Sequence, residues 1–546
     1  MSEVQKDILS FFPQKEVGGP PRKTQGLVIQ EVHKAFQSGK RIVILESPVG
    51  SGKSAIAKTF ANYFQDSHIL TPRKSLQNQY YDDFSADTVL MKGRNSYPCT
   101  RKKNRKIYLK VTNDIRNGSV AQPRQGEDNC ATAPCRNSKT VYQSCIKVNG
   151  ECPYNVAIEV AQEHHTVIHN IHSFVFQTNF GEKFERRKFL ALDEAHEIEE
   201  VIRGFIAKKI TINKVIQAGD LSGDLTTLSG WCDFFLQDKY LPEITPYEKA
   251  SKERDEEYVT DQDRYKEMIE TLRDKAEYYG KEFTYKRSVN YMGQKPVSTT
   301  FEFIPHSLGS AVSRLILEYG DYVLLMSGTI YDKVTYCKNI GLNPDDVYFI
   351  RVPSSFPVKM RPIYLKPEYQ VDTSFANWND NFNEMIEKIN KIMKIFHDVK
   401  GLIHAPSYEA AELIAKWLPA NRAMVHDKSN FQERLEEFYE AKEPKVFISP
   451  VCQQGVDFKG DRARFQIVLR IPYLNTSDEF VNFKVKNDFI WYNYAALVVF
   501  GQQVGRVNRS EDDFGATFLM DSRFNRFISS NQTKLPKWLK DAFVYK

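Results

Sequence analysis

The 546-residue sequence has no stretch of 18 apolar residues, so its hydropathy supports no helical membrane span. Its opening, MSEVQKDILSFFPQK, lacks the basic, apolar and small-residue succession of a secretory signal, and an intracellular protein is expected, cytoplasmic or associated with the nucleoid. Charge of one sign is not in large excess: 75 basic residues against 69 acidic ones leave a net +6, which permits a polyanionic partner without pointing to one. Cysteine is scarce, eight in all, yet five of the eight (Cys99, Cys130, Cys135, Cys145 and Cys152) fall within one short region. In a reducing compartment such crowding favours metal ligation over disulfides. The scattered Cys232, Cys337 and Cys452 read as ordinary buried residues.

What is present is organised around Arg41–Ser54, RIVILESPVGSGKS. Ile42 to Glu46 suits a buried parallel strand, and the glycine-spaced run that follows suits a phosphate-binding loop. Gly50, Ser51 and Gly52 would curl their N–H groups around phosphate oxygens, Lys53 would reach the β and γ phosphates, and the Ser54 hydroxyl would hold Mg²⁺ at the start of a helix. The general GxxxxGK[ST] pattern lacks its first glycine here, where Ser47 stands. Upstream, Arg22 and Gln25 lie where an amide could read adenine edges, or where a polar loop would serve as well.

A second element supports the first. Phe189 to Leu192 reads as a strand ending in Asp193, Glu194, Ala195 and His196; the aspartate would hold Mg²⁺ opposite Ser54 and the glutamate would orient and deprotonate water. Other strands are expected at His68–Leu70, leading into TPRKSLQNQY, at Thr166–Asn170, and at Tyr322–Met326, leading into Ser327, Gly328 and Thr329. A further cycle follows Ser354–Pro357, with strands at Ile363–Leu365, Gly401–His404, Lys445–Ser449, Phe465–Leu469 and Ala516–Met520, so two α/β sheets in tandem are expected.

Two stretches break the alternation. Residues 99–152 are basic and cysteine-bearing, with RKKNRK at 101–106, and have few apolar residues from which to build a core. Four thiolates there would suit zinc or an iron–sulfur cluster; Cys99, Cys135, Cys145 and Cys152 are the preferred set, with Cys130 as the alternative. From about Ile206 to Ser310 the sheet pattern disappears. Tyr265, Met268, Ile269, Leu272, Ala276 and Tyr279 recur at helical spacing, which predicts a mostly helical insertion. In the second sheet's half, CQQGVDFKG follows a strand and QQVGRVNR follows a helical run. Arg506 and Arg509, three apart on one helix face, would serve as arginine fingers or as a solvated basic face.

Taken in order, ESPVGSGKS, TPRKSLQNQY, KGRNSYPC, CPY, DEAH, LMSGT, SSFP, QQGVDF and QQVGRVNR resemble a superfamily 2 DNA helicase of the XPD/DinG family. The resemblance implies two RecA-like P-loop domains, the first (1–98, 153–205 and 311–355) interrupted by an iron–sulfur domain (99–152) and an Arch-like insertion (206–310), the second at 356–546. It further implies a [4Fe–4S] cluster and ATP-driven 5′ to 3′ movement on single-stranded DNA and forks, as a monomer, in DNA repair or replication. By that likeness Lys53, Ser54, Asp193 and Glu194 bind and cleave ATP; Gln502, Arg506 and Arg509 complete the site; His196, Ser327, Thr329 and Asp457 couple hydrolysis to DNA. Arg22 and Gln25 contact the base, and Thr71, Arg73, Gln77 and His172 contact single-stranded DNA. Gln454 stands where a glutamate is common. An RNA helicase, a translocase that does not unwind, and a metal-dependent module with a vestigial ATPase are the rival readings.

Overall fold

The computed structural model describes residues 7–48, 50–99, 105–116, 129–131, 152–179, 181–254, 259–274, 283–452, 456, 458–508 and 512–545. The first ten strands are β1 (Ile42–Glu46), β2 (Ser67–Thr71), β3 (Val89–Met91), β4 (Thr166–Asn170), β5 (Arg187–Leu192), β6 (Lys208–Ile212), β7 (Phe283–Met292), β8 (Lys295–Pro305), β9 (Gly320–Ser327) and β10 (Val347–Arg351). Seven of them make one sheet in the order β10-β1-β9-β5-β2-β4-β3, every pair parallel. β1 and β2, IVILE and SHILT, are buried along their whole length, which is why neither alternates between apolar and polar residues. Separate apolar cores fill the two faces of the sheet, one holding Ile44, Leu190 and Leu325, the other Val43, Phe60, Ala191 and Leu324.

The strand order decides where the chemistry goes. β1, β9 and β5 are neighbours, so the phosphate loop after β1, the Ser327–Thr329 turn after β9 and Asp193–Glu194 after β5 emerge side by side at one carboxyl edge. A second all-parallel sheet follows: β11 (Ile363–Tyr364), β12 (Gly401–His404), β13 (Ala423–Val425), β14 (Val446–Ser449), β15 (Phe465–Val468), β16 (Ala516–Leu519) and β17 (Phe543–Val544), ordered β13-β14-β12-β15-β16-β11-β17. The expected tandem α/β architecture is present. Short edge and near-edge strands, β3, β13 and β17, were not anticipated, and neither was β10.

The insertion differs from its expectation. Helices Leu228–Phe235, Pro246–Arg254 and Asp261–Asp274 are there, but so is an antiparallel sheet in the order β6-β8-β7. Phe301 and Phe303 alternate inward along β8 and meet the fully buried Trp231, whose ring lies 5.3 and 5.2 Å from theirs. A two-residue turn closes the hairpin, with Gly293 at φ 64°. In the helix Asp261–Asp274, Tyr265, Ile269 and Leu272 are buried; Ala276 and Tyr279 of the same stripe lie outside the described residues. The insertion also rests on the second domain. The His306 ring stacks on Phe483, their centroids 3.4 Å apart.

Candidate active site and nucleic-acid groove

The phosphate loop is built as its glycines require. Gly50 and Gly52 both take the left-handed conformation, φ 75° and 79°, where a β-carbon would be strained. Arg22 and Gln25 press on it from outside: Arg22 donates to the Gly50 carbonyl at 2.8 Å, and its N–H and Nε both donate to Gln25 Oε1. Both line a small cavity with Ser51, Ile56 and Val352. Lys53 and Ser54 open the helix Lys53–Phe64, and Lys53 Nζ lies 3.4 Å from the Ser47 carbonyl.

Opposite the loop, Asp193 is buried, accepting from Tyr80 Oη at 3.0 Å and from the Glu194 N–H at 2.8 Å. Burial pushes its carboxyl up to about 6, with Lys53 working the other way. Burial acts on Glu194 in the same sense, but His196, Lys53, Arg506 and Arg73 outweigh it and hold that carboxyl below its ordinary range. Glu194 therefore carries charge where Asp193 carries it reluctantly. Burial brings His196 down to about 4, so the imidazole is neutral near pH 7.

A run of hydrogen bonds leaves this corner for the second domain. His196 Nδ1 and Ser327 Oγ are bonded at 2.8 Å, Ser327 Oγ accepts from the Thr329 N–H at 3.1 Å, Thr329 Oγ1 accepts from Gln502 Nε2 at 2.8 Å, and Gln502 Oε1 accepts from Arg506 at 3.1 Å. Lys53, Arg73, Glu194, Thr329, Gln502 and Arg506 line one cleft of about 310 Å³ between the sheets. Arg506 does not stand on a helix face as expected, because the helix Phe489–Val504 ends before it and Gly505 caps the end. Asp457, Gln454 and Arg509 lie outside the described residues.

The expected DNA contacts divide. Arg73 is in the nucleotide cleft, paired with Glu197, whose carboxyl burial raises to about 7. Thr71 is buried against the Arg73 carbonyl, and Gln77 is fully buried with its amide donating to the Met91 and Ile168 carbonyls, so Gln77 braces β3 and β4. His172 is exposed on a groove of about 610 Å³ with Lys74, Lys92, Arg94, Asn95, Tyr154 and Phe176. Among the described residues lining it none is acidic. Lys92 and Tyr154 are not among the expected contacts, although they sit in the motifs KGRNSYPC and CPY.

Of the candidate metal ligands, Cys99, Cys130 and Cys152 are described; Cys135, Cys145 and most of the basic run 101–106 are not. Pro98 and Asn129 form an antiparallel bridge and the Cys130 N–H donates to the Tyr97 carbonyl, which staples Cys130 beside Cys99. Cys130 and Cys152 Sγ are 3.9 Å apart. The Cys130 thiol holds Cys152 down to about 6, and the neighbouring sulfurs and burial raise Cys130 itself. Cys130, treated as the alternative, thus sits in the thiol group. Converging soft donors, one of them poised as a thiolate, fit a thiolate-bound metal centre.

The fold and site define a class first, the two-domain ATPases in which a phosphate loop on one sheet faces an arginine from another. Two family models match: "Type III restriction enzyme, res subunit" over residues 19–218 and "Helicase C-terminal domain" over residues 389–542. A chicken Fanconi anemia group J protein homolog is 32% identical over 134 residues, which is 21% of this chain and 11% of that protein. A Caenorhabditis elegans regulator of telomere elongation helicase 1 homolog is 23% identical over 274 residues, 40% of this chain and 26% of that one. The matches therefore span about a quarter or less of those relatives. Among solved structures, one titled XPD_Helicase superposes with a TM-score of 0.58 at 16% identity, covering 96% of this chain and 99% of that one. S. tokodaii Xpd4 gives 0.54 at 15%, covering 96% and 100%. The chain thus resembles the two family models over separate stretches and shares the fold of the XPD structures.

Proposed function

We propose that this chain is an ATP-dependent DNA helicase that moves 5′ to 3′ on single-stranded DNA and unwinds duplex at forks. The observation that carries the reading is the single cleft in which Lys53 and Glu194 of the first domain meet Gln502 and Arg506 of the second. ATP lies with its phosphates on the Gly50–Lys53 loop and its base toward Arg22 and Gln25. Ser54 and Asp193 would hold Mg²⁺, which would neutralise phosphate charge. A buried carboxylate that ionises with difficulty beside a single lysine fits a cation ligand. Glu194, kept charged by four cationic or polar neighbours, orients water and takes its proton as that water attacks the γ phosphorus. Arg506 stabilises the charge that develops there.

Hydrolysis releases the γ phosphate from Arg506 and Gln502. The Gln502–Thr329–Ser327–His196 run then carries the change to the first domain, so the two sheets alternate their grip on one strand. The groove of Lys74, Lys92, Arg94, Tyr154, Phe176 and His172 supplies phosphate contacts and stacking faces without base-specific readout. Cys99, Cys130 and Cys152, with a fourth ligand from Cys135 or Cys145, would hold an iron–sulfur cluster, which would cross-link the described cysteines beside that groove. Lys53→Ala tests the reading: DNA-stimulated ATP hydrolysis and unwinding are both lost while single-stranded DNA is still bound. A K53A protein that unwinds DNA overturns it.

A further inference from the structure

After β9 the chain crosses toward the second domain, and at Tyr331 it does something costly. Tyr331 lies in the left-handed region at φ 56°, which a bulky residue adopts only where its surroundings hold it. Its N–H donates to Glu46 Oε2 at 2.9 Å; Arg351 donates to the Tyr331 carbonyl at 2.6 Å and to the same Glu46 oxygen at 3.0 Å. Glu46 is buried as the last residue of β1 and is followed by the phosphate loop. The Tyr331 backbone is therefore tied to the root of that loop.

The side chain belongs elsewhere. It is 2% exposed, in a core otherwise made of second-domain residues that include Leu365, Val468, Leu497 and Phe500. Its hydroxyl is buried with no hydrogen-bond partner among the described residues and abuts Gly501, where an added β-carbon would lie 1.8 Å from the oxygen. Glycine inside a helix is unfavourable relative to alanine, yet only a residue without a β-carbon lets this ring seat. Gly501 directly precedes Gln502, and Thr329, two residues before Tyr331, is the partner of Gln502. A strained backbone, an orphaned hydroxyl and a helical glycine are three local penalties, and all three fall where the two sheets join. Such clustering marks a functional joint rather than simple core filling.

We propose that Tyr331 is a positioning residue for the nucleotide site, a peg that docks the root of the phosphate loop into the second domain at Gly501 and so sets where Gln502 and Arg506 stand over the cleft. The inference rests on the ATPase reading above. It is tested with Y331A, Y331F, G501A and the double variant, by kcat and KM for ATP with saturating single-stranded DNA. Binding of a fluorescent non-hydrolysable ATP analogue, thermal unfolding and the radius of gyration from solution scattering are measured on the same proteins.

Y331A lowers kcat by about tenfold or more while nucleotide affinity stays within about threefold, because Lys53 and its loop are untouched. Its radius of gyration rises. Y331F keeps the ring and recovers most of kcat. G501A repeats the Y331A defect by unseating the ring, and the double variant is no worse than either single one, the signature of a shared contact. The proposal is overturned if Y331A keeps kcat within about twofold, if affinity and unfolding temperature fall together with kcat, or if the double variant multiplies the two defects. Absence of hydrolysis in the unaltered protein would refute the ATPase reading alone. Scattering would still decide the docking, since an unchanged radius in Y331A and G501A overturns it.

Discussion

Arg506→Ala separates a site shared between two domains from one complete in the first. Arg506 is 7% exposed, with Nε donating to the Gln502 carbonyl at 3.1 Å, Nη2 to Gln502 Oε1 at 3.1 Å and Nη1 to the Val456 carbonyl at 2.8 Å. Its charge already acts on Glu194 across the cleft. An arginine that meets the transferring phosphoryl group is worth roughly 10³–10⁵ in kcat, or about 4–7 kcal/mol at 1.36 kcal/mol per decade. Truncation also strips a donor from three oxygens, of which the buried Val456 carbonyl costs about 1–3 kcal/mol in stability. The variant should thus melt several degrees lower and, at a temperature where it is folded, lose about three decades of single-turnover ATP hydrolysis. Arg506→Lys keeps the charge but offers a point donor in place of the planar fork, so its rate falls between the two. A folded R506A protein that hydrolyses ATP within about tenfold of the unaltered rate refutes the shared site.

The raised Asp193 carboxyl gives a pH signature. Between the unfolded value near 4 and about 6 the folded state holds the extra proton, so this group's contribution makes the nucleotide-free protein less stable as pH rises through that window. D193N should remove that slope in thermal unfolding, and Mg²⁺-dependent ATP binding by the unaltered protein should weaken as pH falls below about 6. Lys92→Ala should weaken single-stranded DNA binding equally across sequences and reduce the slope of log K against log salt by about one, read by fluorescence anisotropy; an unchanged slope removes Lys92 from the phosphate path. Cys130→Ser should lower bound iron and acid-labile sulfide as far as Cys99→Ser does, whereas full metal content in C130S would return Cys130 to the role of bystander. Ser327→Ala breaks the 2.8 Å contact with His196 and should reduce DNA-stimulated hydrolysis more than basal hydrolysis.

Much of the nucleotide site was legible because phosphate loops and acidic strand ends are local in sequence. Lys53, Asp193 and Glu194 need only a strand before them and a turn after. What lay beyond reach depends on strand order. Nothing in the sequence says that β9 separates β1 from β5, and that order brings Ser327 to His196. The family likeness gives Arg73 to DNA, yet its partner Glu197 draws it into the cleft. The antiparallel sheet of the insertion was masked by the strong helical stripe at Tyr265–Leu272, although the two-residue turn at Gly293 and the alternation of Phe301 and Phe303 were a readable hairpin signal. Tyr331 carried no signal, since its role comes from a positive φ and from a glycine 170 residues away.

The most direct test of the central claim is unwinding of two otherwise identical partial duplexes, one with a 5′ and one with a 3′ single-stranded overhang, by the metal-replete protein with ATP and Mg²⁺. The account predicts ATP-dependent strand release from the 5′-overhang substrate, little from the 3′ one, and none by K53A or R506A. Release that favours the 3′ overhang, or that proceeds without ATP, contradicts it.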